Sequence, residues 1–430
     1  MDELSLISYI EKNSREKLKF NGSMIIESIG DDTAIFRDKN NILITSDTLT
    51  ENTHFRTDYY SFSQIGAKAL LANISDIASM GGTPRLFILS LLVPDYLTEV
   101  HIKETIDGII KTAKNDKISL IGGNISKARE FSISITLLGD YTAQQTAIPR
   151  YKAEYDDLIF VSGYIGNAWL SYYIMENKER IGECIEKFIL DTDADMDNDR
   201  TSVNAAALFK NPYKIYKTHN KFKTSGKYRT SKNTLIQFIE NYAKKNLIHP
   251  SRVKLGKILA ASKIANSMTD ISDGLYKDIN NLLSSKDKNS GALITADHIP
   301  LSDEFKNIVK ILNLKDTDIL NNIISFGEDY ELLWSMSRAG ENKLLEIAKK
   351  ERIKISKIGS IVKCNTDAHY GTDAAGCDDG AGTNETCYND GTCCNDADFE
   401  VNKGTRVNFI YKNKSLVITP MTFKHISNNL

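Results

Sequence analysis

No apolar run in this 430-residue chain is long enough to cross a membrane. The longest, Leu86 to Val93 (LFILSLLV), falls far short of the roughly 18 residues such a helix needs and reads as a buried strand. The opening MDELSLISYIEKNSREKLKF lacks the basic start, apolar stretch and small-residue cleavage site of a secretory signal, so the chain is expected in the cytoplasm. An excess of charge of either sign is missing too. With 54 Lys plus Arg against 56 Asp plus Glu, the formal charge is -2, which sets aside a basic nucleic-acid binder. The six cysteines include no C-x-x-C pair, which weakens any zinc or redox framework, and in the cytoplasm they are expected as thiols. No HExxH or other paired metal-binding histidine motif occurs, so His101, His219, His249, His298, His369 and His425 are assigned no metal role. There is no Walker motif, and Gly380-Ala381-Gly382 fails the dinucleotide fingerprint at its third glycine. Any nucleotide site is therefore neither of the P-loop nor of the Rossmann type.

What is present is a chain too long for one ordinary core, in which strand and helix patterns alternate. Leu4, Ile7, Ile10 and Leu18 suit an amphipathic helix, and NILITSDTL suits a strand. SQIGAKALLANISDIASMG has helical spacing, ended by Gly81-Gly82 and Pro84. A strand (LFILSLLVP), a helix from Thr98 to Asn115, a strand running into a glycine turn (ISLIGGN) and an alternating strand (FSISITLLGD) follow. The pattern restarts at DLIFVSGYIGNAWLSYYIM. Helices are expected at Leu235 to Ala243 and Val253 to Asn266, with strand-rich segments at GALITADHIPL, SFGEDYELLWSMS and ISKIGSIV. This order predicts an α+β fold of mixed α and β layers in two domains, residues 1–145 and 146–430.

Two segments break the order. Asp191 to Asp199 holds five acids and no base, and Arg200 to Lys232 holds nine bases and no acid. Residues 365–398 carry seven Asp and one Glu, no Lys or Arg, and no Ile, Leu, Val, Met, Phe or Trp. A stretch without those side chains cannot bury enough apolar area to offset its ordering entropy. Both are read as low-order insertions, at about 191–234 and 365–398, in a smaller enzyme. DTDADMDND lacks the turn glycine and terminal Glu of a calcium loop.

The chemistry lies in short acidic motifs beside strands: IGDD at Asp31 and Asp32, TSD at Asp47, NISD at Asp76, and TDISDGL at Asp270 and Asp273. One such Asp reads equally as a cap or a turn. Together, such positions beside Gly, Ser and Thr suggest an all-oxygen site for hard cations, most often Mg²⁺ with phosphates. Gly30 and Gly122-Gly123, read as strand turns, would let backbone N–H groups approach phosphate oxygens. His54 is open between a phosphate contact and an exposed loop histidine. Glu328 and Asp329 are open between recognition of a cationic group and a solvated turn.

Taken in order, IGDDTAIF, ITSDTLTENTHF, ALLANISDIASMGGTPR, LIGGN, MTDISDGL, FGEDYEL and MTFKHI resemble the thiamine-monophosphate kinase family, of the aminoimidazole-ribonucleotide-synthetase-like superfamily. The resemblance covers residues 1 to about 180, 235–363 and 400–430, leaving out the two segments set apart by composition. It implies transfer of the ATP γ-phosphoryl group to thiamine monophosphate, assisted by several Mg²⁺ ions, in a homodimer without nucleic-acid or membrane partners. By motif, Asp32, Thr45, Ser46, Asp47, Asp76, Asp270, Asp273 and the residue at Asn124 would hold metal. Gly123, Asn124, Arg150 and Ser272 would contact ATP, and His54, Glu328 and Phe423 would contact the thiamine phosphate.

The chain departs from the family's pattern in three places. Asn124 stands where an Asp is usual, Phe326 where a Gly commonly precedes GED, and the acidic insertion precedes Phe423. These motivate an alternative, a catalytically impaired relative that binds nucleotide and thiamine phosphate. A third reading is another ATP-dependent enzyme of the superfamily. Its selenophosphate and hydrogenase-maturation branches call for a Cys near the start or the end, whereas the first Cys is Cys184 and the chain ends Asn-Asn-Leu.

Overall fold

The computed structural model describes residues 9, 12–13, 25–27, 35–36, 41–141, 147–197, 232–283, 290–363 and 406–418. Of the expected site residues, Asp32 and Phe423 lie outside this set, as do Asp31, Gly30, the 365–398 segment, residues 198–231 and most of the expected first helix. A short antiparallel pair, β1 (Ile25–Glu27) and β2 (Ile35–Phe36), precedes the first large sheet.

That sheet comprises β3 (Asn41–Thr50), β4 (Thr83–Val93), β5 (Ser119–Lys127) and β6 (Ser132–Tyr141) in the order β3-β6-β4-β5. Helix α1 (Phe62–Ser79) links β3 to β4, and α2 (Glu99–Asp116) makes the crossover that lets β4 and β5 run parallel. Ser61 caps α1 in a reciprocal box with Gln64. The helix is buried on nearly every side because it packs at once against β3, β6, α2 and elements of the second sheet. Among the described residues nothing covers the sheet's other face. Strand alternation puts Ile42, Ile44, Ile88 and Leu92 there, with Ile44 67% exposed. The expected buried strand LFILSLLV is thus buried on one face only.

The second sheet draws on residues beyond 157. Its strands are β7 (Leu158–Ser162), β8 (Ala265–Asp270), β9 (Ser290–Thr295), β10 (Leu332–Met336), β11 (Ile355–Lys363), β12 (Val407–Tyr411) and β13 (Lys414–Leu416), ordered β13-β12-β9-β11-β7-β10-β8. All pairings are antiparallel except β9 with β12. The inner strands LIFVS and LLWSM are apolar throughout apart from one Ser each and are fully buried, with Phe160 stacked on Trp334 at 5.7 Å. The helices that matter for the site are α3 (Asn167–Glu176), α4 (Lys178–Asp197), α5 (Lys232–Asn246), α6 (Val253–Ser262) and α7 (Leu275–Leu282). Helices α6 and α1 pack together, and α1 also touches β8, which joins the two sheets.

Four local expectations change. The start of the acidic run, residues 191–197, continues α4 instead of opening a loop. The helix expected to Asn266 ends at Ser262, and Ala265 already belongs to β8. Gly122-Gly123 makes no turn but lies inside β5, because a Cβ at Gly123 would come within 1.9 Å of the Leu89 carbonyl oxygen on β4. Asp76 follows no strand; it sits in the last turn of α1.

Candidate active site

Thr45 and Asp47 are two residues apart on β3 and so share the face turned toward α1. The Thr45 hydroxyl donates to the Asp76 carboxylate, and the Asp47 backbone N–H donates to Asn73 Oδ1 at 3.2 Å, one helical turn before Asp76. From the second sheet, the buried Asp270 at the end of β8 accepts 2.6 Å from Ser75 Oγ, the neighbour of Asp76. Three carboxylates from three separate segments therefore lie near enough where α1 crosses between the sheets for their charges to act on one another.

Their electrostatics record the crowding. Asp47, Asp76 and Asp270 are each pushed from 3.8 to about 6. Burial is the largest cause in all three. The charges of Asp76 and Asp273 add to it at Asp47, and that of Asp270 adds to it at Asp76, where the Thr45 hydrogen bond and Arg150 pull the other way. At Asp270 the Ser75 hydrogen bond opposes burial while Asp47 and Asp273 reinforce it. Asp278 on α7, whose carboxylate accepts 3.1 Å from the Asp273 N–H, is raised well above the usual carboxylate range by burial and then by Asp270 and Asp273.

Mutually repelling carboxylates are what a hard divalent cation relieves. Among the described residues no three His, Cys, Asp or Glu side chains come together as a ready-made cage. The donor set fits Mg²⁺ in its usual mode, held by one or two carboxylates with phosphate oxygens and water completing the shell.

The structure separates two expected ligands from this group. The Ser46 side chain lies on the open face of the first sheet, its hydroxyl 2.9 Å from Thr136 Oγ1. Asn124 is exposed on β5 and donates 3.0 Å to Ser126 Oγ, in a cross-strand row with Ser90, Ser134 and Thr48. Strand alternation is the reason, since Ser46 must point away from its neighbours Thr45 and Asp47. Gly123 is likewise exposed. Arg150 is exposed but acts electrostatically on Asp76, and Ser272 is half-buried in the turn after β8.

That turn is paired with the one before β10. Because β8 and β10 are antiparallel, with Asp270 opposite Leu332, the DISD and FGEDYE segments emerge side by side. Backbone hydrogen bonds run from Glu328 N to Ser272 O (3.0 Å), Tyr330 N to Ile271 O (2.8 Å) and Ile271 N to Glu331 O (2.9 Å). The approach is so close that a Cβ at Gly327 would lie 1.9 Å from the Ser272 carbonyl oxygen. Glu328 and Tyr330 both adopt positive φ, at 70° and 49°.

The acids of this turn are buried and bonded, which removes the reading of a solvated turn. The Asp329 carboxylate accepts from the N–H groups of Gly166 (2.7 Å) and Ala168 (3.2 Å) at the start of α3, and burial pushes it up to about 7 against those two bonds. Glu331 pairs with Arg252 and accepts from the Ser162 hydroxyl. Glu328 pairs with Lys68 of α1.

Lys68 also donates 2.6 Å to the carbonyl of His54, which places two of the three expected thiamine-phosphate contacts, His54 and Glu328, on one buried ammonium. His54 closes a turn after β3. Its Nδ1 accepts from the Thr50 N–H at 3.0 Å, so the neutral ring carries its proton on Nε2. Tyr330 lies between the two groups of residues. Its hydroxyl is pushed well above the ordinary value, first by burial and then by the charges of Glu328, Asp270, Asp47 and Asp76. Half-buried His249 stacks on Tyr330 at 4.1 Å. Sequence reasoning missed Lys68, Tyr330 and Asp278. The available signal was Lys68 itself, a cation set among Ala, Leu and Ile in IGAKALLANI, with no acid one turn away.

Comparison with known proteins adds to this geometry. Residues 30–141 match the family described as AIR synthase related protein, N-terminal domain. A thiamine-monophosphate kinase from Buchnera aphidicola (subsp. Acyrthosiphon pisum) is 30% identical over 365 residues, 84% of this chain and 90% of that protein. The crystal structure of a thiamine-monophosphate kinase from Stenotrophomonas maltophilia K279a superposes with a TM-score of 0.61 at 26% identity, covering 84% of this chain and 94% of that one. A hydrogenase maturation protein from E. coli shares the fold alone, at 12% identity and a TM-score of 0.51 over 84% of this chain and 92% of that one.

Proposed function

We propose, from the premise that this chain belongs to the thiamine-monophosphate kinase family, that it transfers the γ-phosphoryl group of ATP to thiamine monophosphate, giving thiamine diphosphate and ADP. The observation that carries the reading is the convergence of Asp47, Asp76 and Asp270 beside the turn that holds Glu328. Phosphoryl transfer asks little covalent chemistry of a protein; it requires two reactants in line and neutralised charge on the moving group. Mg²⁺, when bound, supplies that neutralisation. Thr45, Asp47, Asp76, Asp270 and Asp273 would hold it, with Asp32, Ser46 and Asn124 as the remaining members of the motif set. Gly123, Asn124, Arg150 and Ser272 take the nucleotide in this reading. His54, Glu328 and Phe423 take the thiamine phosphate. No general base is assigned, because the acceptor is a phosphate oxygen that is largely deprotonated near neutral pH and needs positioning more than proton removal.

Residues 1–145 would form the domain that binds nucleotide and metal, and residues 146–430 the second domain. Two copies would pair through the open sheet face bearing the exposed Ile42, Ile44, Ile88 and Leu92, four apolar side chains on one face of a single sheet. The same face carries Ser46 and Asn124, so pairing would bring a second chain to them. Among the described residues no helix is long and apolar enough to cross a membrane, and a cytoplasmic location is part of the proposal.

Purified protein incubated with ATP, thiamine monophosphate and Mg²⁺ should yield thiamine diphosphate by mass spectrometry, with the product lost when EDTA is added. Absence of product overturns the reading. Asn124 favours a second reading, the impaired relative, since a neutral amide stands where the family usually has a carboxylate. Binding of both substrates without turnover, with turnover gained on Asn124→Asp, would select it.

A further inference from the structure

We infer that Lys68 is a positioning residue for the acceptor pocket: it ties the His54 turn of the first sheet to Glu328 of the second and thereby sets recognition of the thiamine phosphate, not of the nucleotide. This rests on the reading given under Proposed function, in which His54 and Glu328 contact that substrate.

A lysine only 1% exposed is costly, and proteins place one there only with partners for its charge. Lys68 has four. Its ammonium pairs with Glu328, whose side chain is 9% exposed, and donates to His54 O at 2.6 Å, Tyr172 OH at 3.1 Å and Tyr60 OH at 3.3 Å. The two tyrosine hydroxyls bond each other, and Phe326, next to the Glu328 turn, packs on Tyr172 at 5.5 Å. Burial lowers the affinity of Lys68 for its proton, but Glu328 and Tyr60 more than restore it, so the site remains a true ion pair.

A purely structural pair would be needed to hold the turn in place. Here it is not, because the turn has its own anchors. Asp329 binds the start of α3, Glu331 binds Arg252 and Ser162, and three backbone hydrogen bonds hold the segment to residues 271–272. What these anchors leave unset is the direction of the Glu328 carboxylate, and that is what Lys68 fixes. The ammonium meets Oε2, leaving Oε1 as the oxygen to face the cationic thiazolium of the acceptor.

The test is steady-state kinetics on full-length protein for both substrates, with wild type, Lys68→Met, Glu328→Gln and the double variant, alongside thermal melts. The expected result for Lys68→Met is a rise of about tenfold or more in KM for thiamine monophosphate, with KM for ATP within about twofold of wild type. The double variant should be no worse than Glu328→Gln alone, because the two residues act as one unit. If Lys68→Met fails to fold through its unpaired buried acid, the comparison of the double variant with Glu328→Gln decides, since the double variant leaves neither charge alone and in Glu328→Gln the ammonium keeps its bonds to His54 O, Tyr60 and Tyr172. An unchanged KM for thiamine monophosphate, parallel losses for both substrates, or additive effects overturn the inference while the proposed function stands. Wild-type protein without turnover overturns the proposed function and takes this inference with it.

Discussion

At the scale of single residues, burial and mutual repulsion raise the three neighbouring carboxylates. Asp47, Asp76 and Asp270, each raised to about 6, bind protons in the folded state that an unfolded chain releases above 3.8. Their contribution to stability is therefore complete at low pH and lost as pH rises through about 6, where the cluster becomes fully charged. A divalent cation needs the charged form. Mg²⁺ should accordingly raise the melting temperature at about pH 8 and have little effect at about pH 5, as read by calorimetry against EDTA controls. Replacing Asp76 by Asn should lower kcat/KM by about a hundredfold or more while leaving the melting temperature equal or higher, because it removes both a proposed ligand and a source of repulsion. His249 pulls in the opposite direction. Half-buried and held down to about 3 from 6.5 by desolvation of its ring, it stays neutral in the fold, so its contribution is full above 6.5 and is lost as pH falls toward 3. At about 1.4 kcal/mol per pH unit once the unfolded ring is protonated, wild type should lose about 2 kcal/mol more than His249→Phe between pH 6.5 and about 4.5, measured by urea unfolding at each pH.

Among secondary-structure elements, the decisive arrangement is two turns side by side at the ends of β8 and β10. Gly327 permits it. A Gly327→Ala variant should force the turns apart, costing about 1–3 kcal/mol in denaturant unfolding and lowering activity more than stability explains. Much of this scale was legible in the sequence. The apolar, β-prone start of NILITSDTL gave β3, and the helical spacing of SQIGAKALLANISDIASMG gave α1. Strand β8 is not marked, because helical spacing carries the preceding element on to Asn266. What stayed hidden was pairing between distant segments. Nothing local says that Lys68 meets Glu328, or that Asp329 caps a helix 160 residues earlier, because such contacts depend on sheet order and not on period. The misread glycines show the same limit. Gly122-Gly123 looks like a turn to any local rule, and only the approach of Leu89 explains why the strand continues.

For the whole molecule, the charge total conceals unlike parts. The near-zero sum hides an acidic stretch at 365–398 and a run of bases at 200–232, apart from which Asp47, Asp76 and Asp270 lie near one crossing point. The open face of the first sheet sits on the opposite side of β3 from that crossing. Replacing Ile44 by Glu should leave the carboxylates untouched and shift a dimer to a monomer in sedimentation velocity. Loss of activity together with the dimer would show that the second chain completes the site through Ser46 and Asn124.

The anchors of the GEDYE turn carry a consequence for how the chain is made. Its acids are met by Lys68, by the start of the helix at Asn167 and by Arg252, all of which leave the ribosome before residue 328 does. Until then Lys68 has only neutral partners, the His54 carbonyl and the Tyr60 and Tyr172 hydroxyls, and its burial costs more. In the proposed reading the acceptor pocket therefore forms only after this short segment and, later, Phe423 have been made, and a chain released before residue 331 should be unable to close its site.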